Sequence, residues 1–337
     1  MKVAVFGTGR MGARHLQVVR ELGWDIVGIL DQNEPALAQA GKQFGIPAGR
    51  QYREAQHLME QAHPECVIVA TTAPGHGPLT CLAAKAGARY ILCEKPMASS
   101  LAECDQMIAT CESHGARLAI NQQTRFMPQY LAAQRILQSE DFGPWTSITV
   151  VAGNMGLAMN GVHYFELLRW LSGERPSEVT AWLSDDPIPN PRGAQFQDAS
   201  GAIRVTTASG KRLYMDLGAD QGHGIRTVYA GRTGMLVVDE LSGKIQLAVR
   251  GPEHRELPTA RYGMESHDSS LQLEPADSVA PTRAVLEALI ADREYPTGDD
   301  GRTAVATLVA AHVSHRQSHR AVGTDGALPR ELRFPYP

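Results

Sequence analysis

The sequence predicts an α/β chain in two parts: a doubly wound parallel sheet over residues 1–121 and an α+β part over residues 122–337. Three observations carry this reading. Short apolar, β-branched runs alternate with helical stretches through the first third of the chain, the pattern of successive βαβ units. A G-x-G-x-x-G turn, Gly7-Thr8-Gly9-Arg10-Met11-Gly12, joins the first such run to the first helical stretch. Beyond Asn121 the texture changes to consecutive strand-like runs separated by tight-turn signals, which reads as an antiparallel sheet.

The first strand is Lys2–Phe6, and helical character runs from Ala13 through Leu22. Between them Gly7 permits the tight turn, Gly9 lets backbone approach a pyrophosphate, and Gly12 lets helix and strand pack closely. The helix N-terminus offers free N–H groups and partial positive charge to phosphates. Residues Gly7, Thr8, Gly9, Arg10, Met11 and Gly12 are therefore the first candidate dinucleotide contacts. The second strand, Asp25–Leu30, ends at Asp31, 19 positions after Gly12. An acidic residue there can take a ribose 2′-hydroxyl and would repel a 2′-phosphate. The next residues, Gln32 and Asn33, supply no Arg for a phosphate, so NAD is favoured over NADP. The alternative for Asp31 is a cap on the helix Glu34–Phe44.

A third strand, Cys66–Ala70, ends in Thr71-Thr72, and a helix follows over Pro78–Ala86. A fourth, Tyr90–Cys93, ends in Glu94-Lys95-Pro96 and leads to a helix over Leu101–His114. The strand Arg117–Ile120 ends at Asn121. Ligands of doubly wound sheets sit at the carboxyl ends of the strands. Thr71, Thr72, Glu94, Lys95 and Asn121 should therefore converge on the glycine turn, Asp31 and Gln32.

In the second part, Pro128–Gln138 and Asn160–Leu171 read as helices and Trp145–Ala152 as a strand. Strand-like runs follow at Glu178–Leu183, Ala202–Thr207, Arg212–Leu217, Arg226–Ala230, Met235–Val238 and Lys244–Val249. The Pro-rich stretch Asp185–Asp198 reads as a loop, and the irregular, polar Glu256–Ala280 as a candidate flap. Helices close the chain at Pro281–Ala291 and Thr303–Arg320, the latter ended by Gly323. Helices would cover one sheet face and leave the other for a second subunit, so a homo-oligomer is expected.

Composition excludes several classes. A net charge of −4 gives no electrostatic case for nucleic acid or an anionic membrane. No apolar run reaches membrane-span length, and no charged-then-apolar leader precedes the first strand. The five cysteines lie at 66, 81, 93, 104 and 111 without a C-x-x-C, which fits a reducing cytoplasm. His312, His315 and His319 share one helix face but have no carboxylate or thiol beside them, so no metal is expected. Asp185-Asp186 and Asp299-Asp300 read as solvated turns, and Cys104 and Cys111 as small hydrophobes.

Several stretches together resemble the glucose-fructose oxidoreductase / inositol dehydrogenase / MocA (Gfo/Idh/MocA) family. They are the glycine turn, Cys93-Glu94-Lys95-Pro96-Met97, Arg125-Phe126-Met127-Pro128, Gly161-Val162-His163-Tyr164 and Tyr295-Pro296-Thr297-Gly298-Asp299-Asp300-Gly301. The resemblance implies a Rossmann domain followed by a C-terminal domain with a large open antiparallel sheet, assembled as a homodimer or homotetramer. It implies hydride transfer between a nicotinamide and a hydroxyl-bearing carbon of a sugar, nucleotide sugar or polyol. Lys95 matches the family's catalytic lysine, whose ammonium would hold the reacting oxygen, and the Lys95–Pro96 bond is a candidate cis peptide. Glu94 would orient Lys95 or contact the cofactor. His163 matches the family's histidine, a residue able to accept and return the alcohol proton.

The sequence also departs from the family. Many members carry an aspartate four residues before this histidine; here that residue is Met159. Either His163 works without a carboxylate, or Tyr164 or Lys95 takes the acid/base role. Asn154 and Asn160 offer hydrogen bonds to sugar hydroxyls. Arg125 either binds a substrate anion bidentately or pins the domain junction. Thr71 aligns with a family threonine near the cofactor, although Thr72-Ala73 replaces the usual Pro-Asn, and His76 reads as structural. Two other readings stay open: a hydrolase that oxidises and re-reduces its glycoside on NAD, and a non-catalytic NAD-binding sensor. The pair Lys95 and His163 argues against the sensor.

Overall fold

The computed structural model describes residues 1–185, 190, 192–257, 265–275, 277–326 and 328–336. Asp186 and parts of the expected loop and flap lie outside the described residues. The first sheet has six parallel strands in the order β3-β2-β1-β4-β5-β6. They are β1 (Lys2–Phe6), β2 (Asp25–Leu30), β3 (Gln51–Tyr52), β4 (Cys66–Val69), β5 (Tyr90–Cys93) and β6 (Arg117–Ile120). Helices α1 (Arg10–Glu21), α2 (Glu34–Phe44), α3 (Ala55–Ala62), α4 (Ala73–Lys85) and α5 (Leu101–Ser113) connect them. The central strands are buried on both faces, as their unbroken apolar runs require.

Local chemistry sets the helix ends. The Asn33 side chain accepts the Ala36 N–H at 3.0 Å, and Gly45 closes α2 at φ +64°, a cap and stop of the usual kind. Asn33, not Asp31, thus caps α2, which leaves the Asp31 carboxylate to the glycine turn. Helix α4 begins five residues before its expected start, with Pro74 in its first turn and Pro78 inside it; proline is tolerated in the first turn, which the sequence pattern did not distinguish from a loop.

The second sheet has nine strands in the order β14-β13-β12-β11-β7-β10-β9-β8-β15. They are β7 (Trp145–Gly153), β8 (Pro176–Leu183), β9 (Gly201–Thr207), β10 (Arg212–Gly218), β11 (Arg226–Gly231), β12 (Gly234–Asp239), β13 (Lys244–Arg250), β14 (Ser266–Gln272) and β15 (Val322–Gly323). The sheet is mixed rather than wholly antiparallel, because β7 and β10 run parallel. The crossover that makes this possible contains the helix α7 (Val162–Ser172). The part of the expected flap from Ser266 to Gln272 is instead an edge strand on β13. All seven of its residues are exposed, so no apolar alternation announced it.

Three further helices, α6 (Pro128–Leu137), α8 (Val279–Ala291) and α9 (Gly298–Arg316), complete the second part. A capping box between Thr297 and Asp300 starts α9 earlier than its apolar pattern suggests. The C-terminal helices pack back on the first sheet. Val285, Leu286 and Leu289 of α8 share a core with Val3, Val5 and Leu16, and Thr297 bridges to Ala119 of β6. This return path fixes the crevice between the two sheets. On the far face of the second sheet, Trp182, Tyr214 and Met235 are exposed. Among the described residues no helix is long and apolar enough to cross a membrane.

Candidate active site

The glycine turn sits at the carboxyl end of β1. Gly7 holds φ +92°, and a Cβ on it would come within 2.6 Å of the Ala70 carbonyl oxygen. A Cβ on Gly12 would fall 1.9 Å from the Gly7 carbonyl oxygen, whereas one on Gly9 would meet nothing within 4 Å. Helix α1 has no side-chain cap on its first N–H groups. Open space at Gly9 and free amides behind it fit a pyrophosphate. Asp31 completes the turn. One carboxylate oxygen accepts the Thr8 N–H at 2.8 Å and the Thr8 hydroxyl at 2.9 Å, and the other accepts the Asn33 N–H at 2.9 Å.

The end of β5 is built on buried polar groups. Glu94 is buried, and one of its oxygens meets the His15 ring nitrogen and the Asn121 amide, each at 2.8 Å. Its other oxygen accepts the Lys95 N–H at 3.3 Å. Burial alone would raise the Glu94 carboxyl; His15, the Lys95 charge and Asn121 hold it down at about 2. Glu94 and Asn121 therefore serve the frame of the turn. His76, buried, spans the Pro96 carbonyl at 2.9 Å and the Thr71 carbonyl at 3.2 Å, tying the end of β4 to the end of β5. The Lys95–Pro96 peptide is cis. Thr72 is the N-cap residue of α4, and the Thr71 hydroxyl donates to the Thr72 carbonyl at 3.3 Å.

Lys95 reaches across the crevice, and its ammonium donates to the Met159 carbonyl. Burial lowers its pKa to about 8, opposed by the Glu94 charge. His163, on the first turn of α7, keeps an Nδ1 that is buried with no partner among the described residues. Burial, helped by the Lys95 charge, pushes its pKa down to about 3. Met159 lies in a π-helical turn, Leu157–Gly161, that precedes α7.

A residue the sequence reading left in a loop holds that turn. The Asp198 carboxylate accepts the Ala158 N–H at 2.7 Å and the Met159 N–H at 2.8 Å. Gly156 makes room for it, since a Cβ there would stand 2.1 Å from an Asp198 oxygen. Burial raises Asp198 to about 6. A carboxylate is therefore present beside the site although residue 159 is methionine. Arg192, half-buried in the same stretch, has one terminal nitrogen buried with no partner among the described residues. A loop signal alone announces neither residue.

His163 and Asn160 open onto a cavity of about 140 Å³. Tyr164 also lines it, but its hydroxyl donates to buried Glu240 at 3.0 Å, as does the Tyr130 hydroxyl at 2.6 Å. Burial raises the Tyr164 hydroxyl well above its ordinary range and raises Glu240 too. Asn154 is exposed at φ +54° and does not line the cavity. Arg125 is buried against Glu166, with Asp300 at 3.4 Å and Glu294 at 3.6 Å. Its guanidinium is committed to acidic groups of the second part. Of the three C-terminal histidines, His315 accepts the Leu183 N–H at 3.2 Å, His319 meets the Ala181 carbonyl at 2.9 Å, and His312 packs on Phe334.

Comparisons with known proteins agree with this layout. The model of the oxidoreductase family with an NAD-binding Rossmann fold (GFO_IDH_MocA) matches residues 1–122. A D-apiose dehydrogenase of Paraburkholderia graminis is 34% identical over 190 residues, 51% of this chain and 50% of that protein. The chain thus spans about half the length of that relative. An inositol 2-dehydrogenase of Acidothermus cellulolyticus is 24% identical, with 99% of this chain and 98% of that protein covered. A crystal structure of an oxidoreductase from Agrobacterium radiobacter, in complex with NAD+, L-tartaric acid and magnesium, superposes with a TM-score of 0.77 at 22% identity. It covers 96% of this chain and 98% of that one, which establishes the two-domain fold.

Proposed function

We propose that this chain, a member of the Gfo/Idh/MocA oxidoreductase family, is an NAD-dependent dehydrogenase acting on a hydroxyl-bearing carbon of a sugar or polyol. One juxtaposition carries the reading. Lys95, from the end of the dinucleotide-type sheet, meets the Met159 carbonyl four residues before His163 of the second part. This supports Lys95 and His163, which match the family's lysine and histidine, acting on one substrate. The apiose and inositol dehydrogenases among its relatives fit a polyhydroxylated substrate.

Bound NAD supplies a hydride acceptor at its nicotinamide. Gly9 and the N-terminus of α1 would receive the pyrophosphate, and Asp31 the adenosine ribose. The chain's own residues must hold the alcohol and move one proton. Lys95, with a pKa of about 8, has an amine fraction near neutrality that can take it. His163, at about 3, stays neutral and keeps little affinity for a proton. It acts as a fixed hydrogen-bond acceptor that orients the hydroxyl. Tyr164 is spent on Glu240. Asp198 is a positioning residue: it holds the turn whose Met159 carbonyl anchors Lys95.

The test is NADH formation from NAD and a panel of sugars and polyols. Lys95→Ala should lower turnover by at least about a hundredfold while NAD still binds by calorimetry. Turnover that survives this change would sink the mechanism. The outer sheet face, with Trp182 and Tyr214 exposed, supports a homo-oligomer, checked by solution mass. Five buried, unpaired cysteines support a reducing, cytoplasmic setting.

A further inference from the structure

A stretch of chain far from Lys95 in sequence ties the two sides of the crevice together. Residues 328–336 contain no helix or strand, yet they bury Leu328, Phe334 and Tyr336. The Phe334 and Tyr336 rings stack at 5.1 Å with planes 4° apart, and Phe334 lies 4.7 Å from the His312 ring of α9. Arg330 pairs with Asp105 at 2.6 Å and Arg333 with Glu103 at 2.9 Å, both on α5. Both arginines are exposed, so the buried rings supply more of the hold than the ion pairs.

Two backbone groups one residue apart then reach opposite sides. The Phe334 N–H donates to the Ser99 carbonyl at 3.0 Å, and the Pro335 carbonyl accepts the Gln197 N–H at 2.9 Å. Ser99 lies four residues beyond Lys95, and Gln197 immediately precedes Asp198. Beside the two Asp198 contacts, the Ala199 carbonyl accepts the Leu157 N–H at 2.8 Å. The loop and the Met159 turn thus form one unit. It is held to the end of β5 by the Lys95 ammonium on the Met159 carbonyl and by Phe334–Pro335. The Lys95 link is conditional: it weakens when the ammonium loses its charge or turns to a substrate oxygen, since a charge-assisted hydrogen bond is roughly twice as strong as a neutral one. The other link does not titrate near neutrality. Burial holds His312 down at about 4 and Tyr336 well above its ordinary range.

We propose that Phe334–Tyr336 is a positioning brace that keeps the Met159 turn against the end of β5 while Lys95 is engaged with substrate, a role that rests on the dehydrogenase reading. Lys95 reports the state of the brace. Burial is the main cause that lowers its pKa to about 8; Glu94 and Asp198 raise it, Arg192 and Arg10 lower it, and His163 stays neutral. Opening the brace lets water in and carries Arg192 and Asp198, of opposite sign, away together. Lys95 should then move up toward its ordinary value of about 10.4, the direction opposite to loss of the Asp198 charge alone.

Two readouts need no turnover: the pH dependence of Lys95 acetylation by acetic anhydride, followed by peptide mass, and hydrogen exchange at the Ala158 and Met159 amides. In Phe334→Ala the acetylation midpoint should rise, and exchange at both amides should speed up at least about tenfold more than it does in β1. Phe334→Leu, which keeps an apolar wedge, should sit close to the wild type. Lost stability with the midpoint and both amides unmoved would overturn the brace. Should Phe334→Ala fail to fold, the unaltered chain decides in low denaturant. There the Phe334, Gln197, Ala158 and Met159 amides should open as one unit, and a Met159 turn that opens independently of Phe334 would overturn the proposal. NADH formed from no sugar would retire the dehydrogenase reading and leave the brace standing. Phe334→Ala turning over at the wild-type rate, with the wild-type midpoint, would retire the brace alone.

Discussion

The two walls of the crevice are built in opposite ways. The wall proposed for the cofactor is local: six consecutive residues, Gly7 to Gly12, make the glycine turn, and the strand next to it brings Asp31. The wall proposed for the substrate is assembled from afar. Asp198 holds a turn 40 residues upstream, and Glu240 takes the hydroxyl of Tyr130 110 residues away. A turn can be set by backbone freedom alone. A cavity of acceptors requires partners that only chain folding collects. The first wall should therefore fail through sterics, and the second through lost positioning or charge.

Substitutions at the glycines test the local wall, and the largest effect is expected there. Gly12→Ala forces its Cβ against the Gly7 carbonyl, 1.9 Å away. It should abolish measurable NAD binding and lower stability by about 1–3 kcal/mol, read by calorimetry and thermal unfolding. Gly9→Ala meets nothing in the chain within 4 Å. It should leave the melting temperature unchanged while weakening NAD, because only the cofactor needs that space. Equal losses of stability in both variants would remove the distinction.

Lys95 and His163 separate next by pH. With the Lys95 amine as the proposed base, log kcat/KM should rise with pH and level off above about 8. His163, near 3, should add no second limb around its ordinary 6.5. A limb there that His163→Asn removes would return the base role to histidine.

Asp198→Asn probes the distant wall. It keeps one acceptor and removes a negative charge that raises the Lys95 pKa. Turnover should fall about tenfold, and the pH midpoint should move below that of the wild type. NAD affinity should stay unchanged, since the Asp198 carboxylate makes its hydrogen bonds to the Ala158 and Met159 amides and not to the glycine turn. A merely structural role would lower stability without moving the midpoint. An effect of similar size, confined to cofactor choice, is expected at Asp31→Ala: about a tenfold loss of preference for NAD over NADP in paired kinetics.

The readable part of the fold followed from periodicity. Unbroken apolar runs gave five of the six parallel strands, all but the two-residue β3 (Gln51–Tyr52), and strand-like runs between turn signals gave β8 to β13 nearly to the residue. The edge strand Ser266–Gln272 escaped because a fully exposed strand pairs through its backbone and needs no pattern. Likewise the parallel pairing of β7 with β10 depends on a crossover, which no local pattern records. Within the site, Lys95 and His163 were legible as motif residues. His15, buried under Glu94 at 2.8 Å, was not, because one histidine on an apolar helix face carries no sign of its partner.

The sequence by itself determined the phosphate turn, the Asp31 carboxylate and the Lys95–Pro96 strand end, since each rests on residues adjacent in the chain. Only the tertiary structure decided which carboxylate stands at the Met159 turn. It brings Asp198 to the Ala158 and Met159 amides and Lys95 to the Met159 carbonyl. It also gathers Glu240 with the tyrosines and sets Arg125 among acids. The physical reason is range. Backbone conformation and strand-end chemistry are fixed over a few residues, whereas burial, charge and hydrogen-bond partnership depend on which distant segments meet.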